Sequence, residues 1–405
     1  MPSSVVDPFT PFRLGPITLR NRLVKAATNE GLSRHGLVTD ELIAFHRRFA
    51  AGGVGATTLA YCSVSPEGRT FRHQMLMRPE AGPGLAQLVD AVHIQGAAAV
   101  IQLGHAGWFA NPKASGSPSI GPSRKFSPYG LTFSRAMDGA DMGRVRDDFA
   151  RAATLAAGAG FDAVEVHVGH GYLLSQFLSP WTNRRDDEHG GSLEDRARFP
   201  REVLGAVRAA LDDVEAPVAL WAKLNMSDGF RGGLSLSEGV AVARMLEADG
   251  SVDALQLTGG FTARTPMFLM RGDVPLREMM ANERDPIRRW GLRIVGRRLM
   301  EGWPFEEGFF LDDARQVRDQ VTLPLCALGG IRHRATVDEA LADGFEMVGM
   351  ARALLRDPDL PLRYEAGEAD ESLCISCNQC VVEMERPAGT RCVFLPDDWA
   401  ADTAL

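Results

Sequence analysis

The sequence predicts an α/β protein, a (β/α)8 TIM barrel with long capping loops after its third and sixth strands, on three observations. Short apolar runs alternate eight times with amphipathic helical stretches, the pattern of parallel strands joined by crossover helices. The first run lacks the glycine-rich turn that a doubly wound sheet would place after it. The two connections too long to be simple loops, 104–141 and 258–310, both leave strand C-termini, which in a barrel make one face.

In chain order, the first three strands are Leu23 to Ala26, Ala56 to Cys62 and Ala97 to Leu103, separated by helices over Asp40 to Ala51 and Pro83 to His93. The first long connection leads into a helix over Gly143 to Ala157, the strand Ala163 to Val168 and the helix Leu193 to Leu211. Then come the strand Val218 to Leu224, the helix Ser235 to Leu246 and the strand Ala254 to Leu257. Past the second long connection lie the strand Leu323 to Leu328, the helix Ala335 to Asp343 and the strand Glu346 to Met350. Residues 1–370 are thus read as the barrel, and 371–405 as a Cys-containing extension packed on it. The long connections, rich in Gly, Pro, Arg and aromatic residues, are read as a lid and substrate wall.

Composition narrows the function. With 405 residues, 45% hydrophobic and 24% charged, the chain is globular rather than disordered or coiled coil. A net charge of -8 and the lack of a long basic run argue against nucleic acid as a partner. Met1 to Arg13 lacks the apolar centre of a signal peptide, and no stretch is long and apolar enough for a membrane span, so the cytoplasm is the expected compartment. Four of six cysteines, Cys374, Cys377, Cys380 and Cys392, cluster near the C-terminus, which in a reducing compartment suggests a metal or redox group rather than disulfides.

The chemistry concentrates after the fourth strand. His167 falls at its C-terminal edge, and His170 and Tyr172 in the turn beyond, so two imidazoles and a phenol share the catalytic face. His-x-x-His spacing alone fits a metal site as readily as a strand cap, so a metal hydrolase on the same barrel is the alternative from another class. Lys223 lies in an apolar strand and needs a partner there. Gly329, Gly330, Ala351 and Arg352 end the seventh and eighth strands, where barrels commonly bind phosphate.

The stretch Ala163-Val-Glu-Val-His167-Val-Gly-His170-Gly-Tyr172, continued by Trp181-Thr-Asn-Arg184-Arg185 and Gly190-Gly191-Ser-Leu-Glu-Asp-Arg196, closely resembles the signature of the old yellow enzyme family of NADH:flavin oxidoreductases. Asn21-Arg22-Leu-Val-Lys, Ile101-Gln102-Leu-Gly-His105-Ala-Gly107, Ala327-Leu-Gly329-Gly330 and Gly349-Met-Ala-Arg352 resemble its other motifs, in the same order. The resemblance implies FMN as cofactor, NAD(P)H as hydride donor and an activated alkene, an α,β-unsaturated carbonyl or related small molecule, as acceptor. It implies that His167 and His170 hold the acceptor's oxygen, which suits stabilisation of developing charge, and that Tyr172 gives the proton, as a phenol protonated at neutral pH can. Gln102 and Lys223 match residues at the flavin ring, a cation there favouring reduced flavin. Gly329, Gly330, Ala351 and Arg352 match the phosphate site, and Ala27 and Asn29 the loop beside the ring.

Two departures stand out. After the first strand the family has Pro or Ser, then Met, then Thr, Cys or His, whereas this chain reads Ala26-Ala27-Thr28-Asn29, so the position of Asn29 carries over but not its effect. Cys374-x-x-Cys377-x-x-Cys380 with Cys392 resembles the [4Fe–4S] segment of the 2,4-dienoyl-CoA reductase branch, which has three residues between its second and third cysteines. An iron–sulfur cluster, zinc and free thiols all stay open. In that branch a separate FAD and nicotinamide domain feeds the cluster. The few residues after Cys392 show no such domain, so an iron–sulfur reductase or demethylase here implies an electron-donor protein. A homo-oligomer is left open.

Overall fold

In the computed structural model, which describes residues 6–71, 73–127, 131–283 and 285–400, eight parallel strands close into one barrel in sequence order. Residues 1–5, from the stretch read for a targeting segment, and 401–405, the tail of the Cys-containing extension, lie outside them.

The strands are β1 (Leu23–Lys25), β2 (Ala56–Ser63), β3 (Ala98–Gly104), β4 (Ala163–Val168), β5 (Ala219–Asn225), β6 (Ala254–Thr258), β7 (Leu325–Ala327) and β8 (Met347–Met350). Each expected strand is present, shifted at its ends by no more than a few residues. β8 pairs with β1 and closes the ring. Because side chains alternate along a strand, Val24, Val100, Ala163, Trp221, Ala254 and Met347 fill the lower interior, joined by Leu14 and Leu19 from an N-terminal hairpin (Phe12–Leu14 with Ile17–Leu19) that plugs the bottom.

The outer layer is α1 (Asp40–Ala51), α2 (Gly82–His93), α3 (Gly139–Gly158), α4 (Leu193–Asp212), α5 (Leu236–Asp249), α6 (Leu311–Arg318) and α7 (Arg334–Ala342). Their starts are written in the sequence: Asp138 with Asp141, and Ser235 with Glu238, form reciprocal capping boxes. Their apolar faces join the outward faces of the strands in a second, larger core.

The connection after β6 is not the structureless wall its length suggested. It folds into the helices Pro266–Leu269, Leu276–Asn282 and Pro286–Leu299 before α6. The connection after β3 carries a small hairpin, Phe126–Ser127 with Thr132–Phe133. No helix among the described residues is long and apolar enough to cross a membrane.

Candidate functional site

The interior of the barrel turns from apolar to ionic one layer above Trp221. Glu165 Oε1 accepts a hydrogen bond from Gln102 Nε2 at 2.5 Å and faces Lys223 Nζ at 3.1 Å, while Oε2 accepts from Trp221 Nε1 at 2.9 Å. All four side chains are buried, so the pair survives by being fully hydrogen-bonded. Lys223 thus has the partner its apolar strand demands. Gln102 is spent on Glu165 and does not line the cavity above, a departure from its expected place at the flavin ring.

One step further up, the end of β4 presents His167. Its Nδ1 accepts the Gly169 N–H at 3.2 Å, which leaves Nε2 to carry the proton of the neutral ring. His170 adopts a left-handed backbone (φ 58°), held by its N–H donating to Asn225 Oδ1 at 3.0 Å and its carbonyl accepting from Thr262 N at 2.9 Å. Its ring Nε2 lies 2.8 Å from Thr258 Oγ1. Gly171 also has positive φ (75°), and a Cβ there would meet the Phe261 ring at 2.4 Å, so only glycine fits. The two imidazoles stand edge to face with centroids 4.9 Å apart, and the Tyr172 ring lies 4.9 Å from that of His167.

Burial sets the protonation states. It lowers His170 to about 3 and His167 well below its ordinary value, each further disfavoured by the Lys223 cation, so both rings are neutral donors at physiological pH. Burial pushes the Tyr172 phenol up to about 12, against a hydrogen bond with Thr262 that pulls it down. The arrangement offers neutral N–H donors and a protonated phenol, with a fixed cation beneath.

These groups open onto a cavity of about 280 Å³ lined by the ends of β1 and β4–β8, near the lower edge of ordinary small-molecule pockets. His170, Tyr172 and Lys223 line it, as do Ala27, Asn29, Gly329, Gly330, Ala351 and Arg352; His167 is not among its lining residues but its ring contacts those of His170 and Tyr172. Thr28, Thr258, Thr262 and Arg332 also line it and were missed. Arg332 had a signal, lying two residues past the Gly329-Gly330 turn; the threonines had none.

The loop Ala26–Asn29 is pinned from below by buried charge. Lys25, pointing out of the barrel between Phe45 and Phe49, donates to Thr28 Oγ1 at 2.7 Å and faces Glu30 Oε1 at 3.4 Å; Glu30 Oε2 accepts the Ala60 N–H at 3.0 Å. Desolvation lowers Lys25 to about 8 and raises Glu30 to about 7.

The C-terminal segment forms one wall of the same cavity. Thr390 donates from N to Glu30 O at 2.7 Å and from Oγ1 to Asn29 O at 2.5 Å. Arg352 Nη1 donates to Arg271 O at 2.9 Å and Asn378 Oδ1 at 2.5 Å, and Asn378 Nδ2 donates to Met270 O at 2.7 Å. Cys374, Cys377, Cys380 and Cys392 surround a second cavity of about 20 Å³ that shares Arg352 with the first, room for about one water. Burial raises Cys380 to about 12 and raises Cys392 as well. In this arrangement no group of three or more His, Cys, Asp or Glu side chains among the described residues is placed to hold a metal ion.

The residues fit FMN by their own unmet needs. Asn29 Nδ2 is buried without a hydrogen-bond partner, and Arg332 Nε makes none either, standing 3.5 Å from Glu307. With Arg352 and the Gly329-Gly330 backbone they leave donors and positive charge at the end of the cavity beyond β7 and β8, and Lys223 supplies charge at the end beneath the imidazoles.

Comparison with known proteins agrees. Residues 7–258 match the NADH:flavin oxidoreductase / NADH oxidase family. A 4,4'-dithiodibutanoate disulfide reductase of Rhodococcus erythropolis is 48% identical over 385 residues, 95% of this chain and 94% of that protein. A metal reductase of Desulforamulus reducens is 31% identical over 95% of this chain but 53% of its own length. A solved 2-naphthoyl-CoA reductase, in complex with 2-naphthoyl-CoA, superposes with a TM-score of 0.81 at 25% identity, over 98% of this chain and 58% of that one. The chain therefore spans nearly all of the first relative and a little over half of the other two.

Proposed function

The chain belongs to the NADH:flavin oxidoreductase / NADH oxidase family, that of the old yellow enzymes, and on that premise we propose that it reduces an activated alkene, such as an α,β-unsaturated carbonyl, with NAD(P)H. Family membership makes it an FMN-dependent oxidoreductase and sets aside the metal-hydrolase alternative. FMN, when bound, supplies the two-electron hydride relay between nicotinamide and acceptor. Asn29, Arg332, Arg352 and the Gly329-Gly330 backbone would hold it, with Lys223 placed to favour its negative charge.

The observation that carries the proposal is that His170 and Tyr172 line one end of the cavity with the His167 ring packed against both, two neutral imidazoles beside a protonated phenol. His167 Nε2–H and the free edge of His170 would bind the acceptor's carbonyl oxygen and stabilise the negative charge that gathers there as the β-carbon receives hydride. Tyr172 would deliver the proton to the α-carbon, so the product gains one hydrogen from NAD(P)H and one from the phenol, which is reprotonated from solvent. Glu165 neutralises Lys223 below, and Asn225 and Thr258 fix the orientation of His170.

The Rhodococcus relative favours a second reading, in which the acceptor is a disulfide: NAD(P)H and one proton would convert it to two thiols. Stopped-flow reoxidation of the reduced enzyme decides between them. Enones reoxidising it faster than disulfides supports the alkene reading, and the reverse order overturns it. The four thiols around one cavity support an iron–sulfur cluster in donor type, though they are not gathered for one in this arrangement. An iron content near four per chain would bring in the reading of an iron–sulfur reductase or demethylase fed by a partner protein; its absence would dismiss it.

A further inference from the structure

Three cations converge beside the mouth of the barrel with no carboxylate among the described residues to meet them, Lys125 Nζ donating only to the Trp181 carbonyl at 3.3 Å. Lys125 comes from the connection after β3, Arg184 from that after β4 and Arg264 from that after β6, so all three lie on the face that carries His170 and Tyr172. Lys125 Nζ sits 3.6 Å from the centroid of the Trp181 ring, and Arg264 Cζ lies 5.1 Å from the same ring and 4.3 Å from that of Phe230. The Arg184 N–H donates to Ser123 Oγ at 2.8 Å, which ties its loop to that of Lys125. Among the described residues none of the three makes an ion pair, whereas Arg185, next in the chain, is spent on Asp187 and on the Pro122 and Met137 carbonyls.

Arginine and lysine at a protein surface normally find a carboxylate or point into solvent. Here two are laid against one indole, and burial, with the added repulsion of Arg184 and Arg264, lowers the Lys125 ammonium below its ordinary value. The cluster is one packing layer from the chemistry. Phe261 touches Trp181 and Phe230, with centroids 5.3 and 5.9 Å away, and its neighbour Thr262 hydrogen-bonds Tyr172 and lines the cavity.

We propose that Lys125, Arg184 and Arg264, with Trp181 as floor, form a binding site for a carboxylate on the acceptor, making anionic acceptors the preferred substrate class. The inference rests on the reductase reading above and deepens it. The same anion chemistry could be met by the pyrophosphate of NAD(P)H, and the test separates the two sources.

The test compares an acid with its methyl ester in the holoenzyme: 4,4'-dithiodibutanoate and its dimethyl ester for a disulfide acceptor, 4-oxopent-2-enoate and its methyl ester for an alkene. In Arg264→Gln the ratio of kcat/KM for acid over ester should fall about tenfold, as for loss of one charge-assisted hydrogen bond. Arg264→Lys should recover part of it. Arg184→Gln, at an exposed position, gives the same readout without disturbing the Trp181 stack. An unchanged ratio in both Gln variants overturns the site, and so does a loss that falls instead on the Kd for NAD(P)H during flavin reduction. Calorimetric titration with 4,4'-dithiodibutanoate needs no turnover. If it binds the parent enzyme and not the variants while no acceptor is reduced, the anion site stands and the reductase reading fails; equal binding to all three refutes the site.

Discussion

The two walls of the cavity are built by different means. The wall at β4 takes its His167, His170 and Tyr172 from one strand end and pins their backbone: the Gly169 N–H donates to His167, the His170 N–H to Asn225 Oδ1, and glycine at 171 makes room for Phe261. Every donor and acceptor there is satisfied or aimed into the cavity, and the three reactive side chains sit in their neutral forms. The wall contributed by the C-terminal segment is assembled instead by contacts to elements scattered along the chain, among them Arg352 with Asn378, Arg332 with the Cys374 carbonyl, Asp273 with the Ser376 carbonyl and Thr390 with the Asn29–Glu30 backbone. Its thiols are half-buried and form no disulfide. A rigid wall whose reactive side chains come from one strand end, and a second wall built by a separate segment, imply that chemistry and cofactor retention can be broken separately.

The largest effect expected on the rigid wall comes from Tyr172→Phe, which keeps the ring against His167 and removes only the hydroxyl. Alkene reduction should slow by ~10²–10⁴ while flavin reduction by NAD(P)H stays near normal. Equal slowing of both half-reactions would make the phenol structural. On the other wall, Arg352→Ala removes the hub joining both cavities. Losing charged hydrogen bonds worth ~1.5–3 kcal/mol should weaken FMN retention by about 10–150-fold. It should also speed amide exchange across residues 374–392 and leave the exchange of β4 untouched. A variant that keeps its flavin and its protected C-terminus would show that Arg352 does neither job.

That contrast tracks what could be read from the sequence. Local order leaves local marks: alternating apolar runs placed all eight strands and amphipathic stretches the helices between them, although the Asp138–Asp141 capping box that starts α3 four residues before the expected Gly143 went unread. His167, His170 and Tyr172 were legible for the same reason, falling within six residues of one strand end. The Gln102–Glu165 pair was not legible, because Glu165 lies on the neighbouring strand and no spacing within β3 announces it. Likewise nothing near Cys374 or Thr390 says that they border the cavity, since the contact of Thr390 lies some 360 residues away at Asn29 and that of the Cys374 carbonyl is Arg332, past β7. Helices in the connection after β6 were missed because its Gly, Pro and Arg content reads as loop while its tertiary packing makes it helical.

A smaller effect should come from Thr258→Val, which keeps side-chain shape and removes the hydroxyl 2.8 Å from His170 Nε2. One neutral hydrogen bond is worth ~1 kcal/mol, so the affinity for a phenol ligand should fall about fivefold with flavin content unchanged. Spectral titration of the oxidised enzyme measures it; unchanged affinity would show that the ring is held by Asn225 and packing alone.

The smallest expected change is in acceptor binding with pH, and its near absence is the sharpest statement about the rigid wall. Were His167 or His170 to titrate near the ordinary 6.5, binding of a carbonyl or phenol ligand would inflect between pH 6 and 7. With His170 lowered to about 3 and His167 held well below its ordinary value by burial, both stay neutral from pH 5 to 8, and Tyr172, raised to about 12, stays protonated. Affinity, corrected for the ligand's own ionisation, should therefore be flat across that range. The lowered values have a second consequence of fixed sign. Below about pH 6.5 the unfolded chain takes up protons that the folded chain refuses, so the stability these rings contribute is complete above 6.5. It is lost as pH falls toward 3, by up to ~1.4 kcal/mol per pH unit for each histidine. Urea melts at pH 7.5 and 5.0 should show a deficit at the lower pH that shrinks in His170→Asn. Another group with a value inside the range is Asp228, about 6, whose Oδ1 accepts from the Asn225 amide that holds His170, so an inflection near 6 surviving His170→Asn would belong to it. Glu30, about 7, and Lys25, about 8, follow under the Ala26–Asn29 loop. An inflection in ligand binding at pH 7–8 that survives His170→Asn would belong to that pair, and one at 6–7 that vanishes with it would show the imidazole to be far wetter than its burial implies.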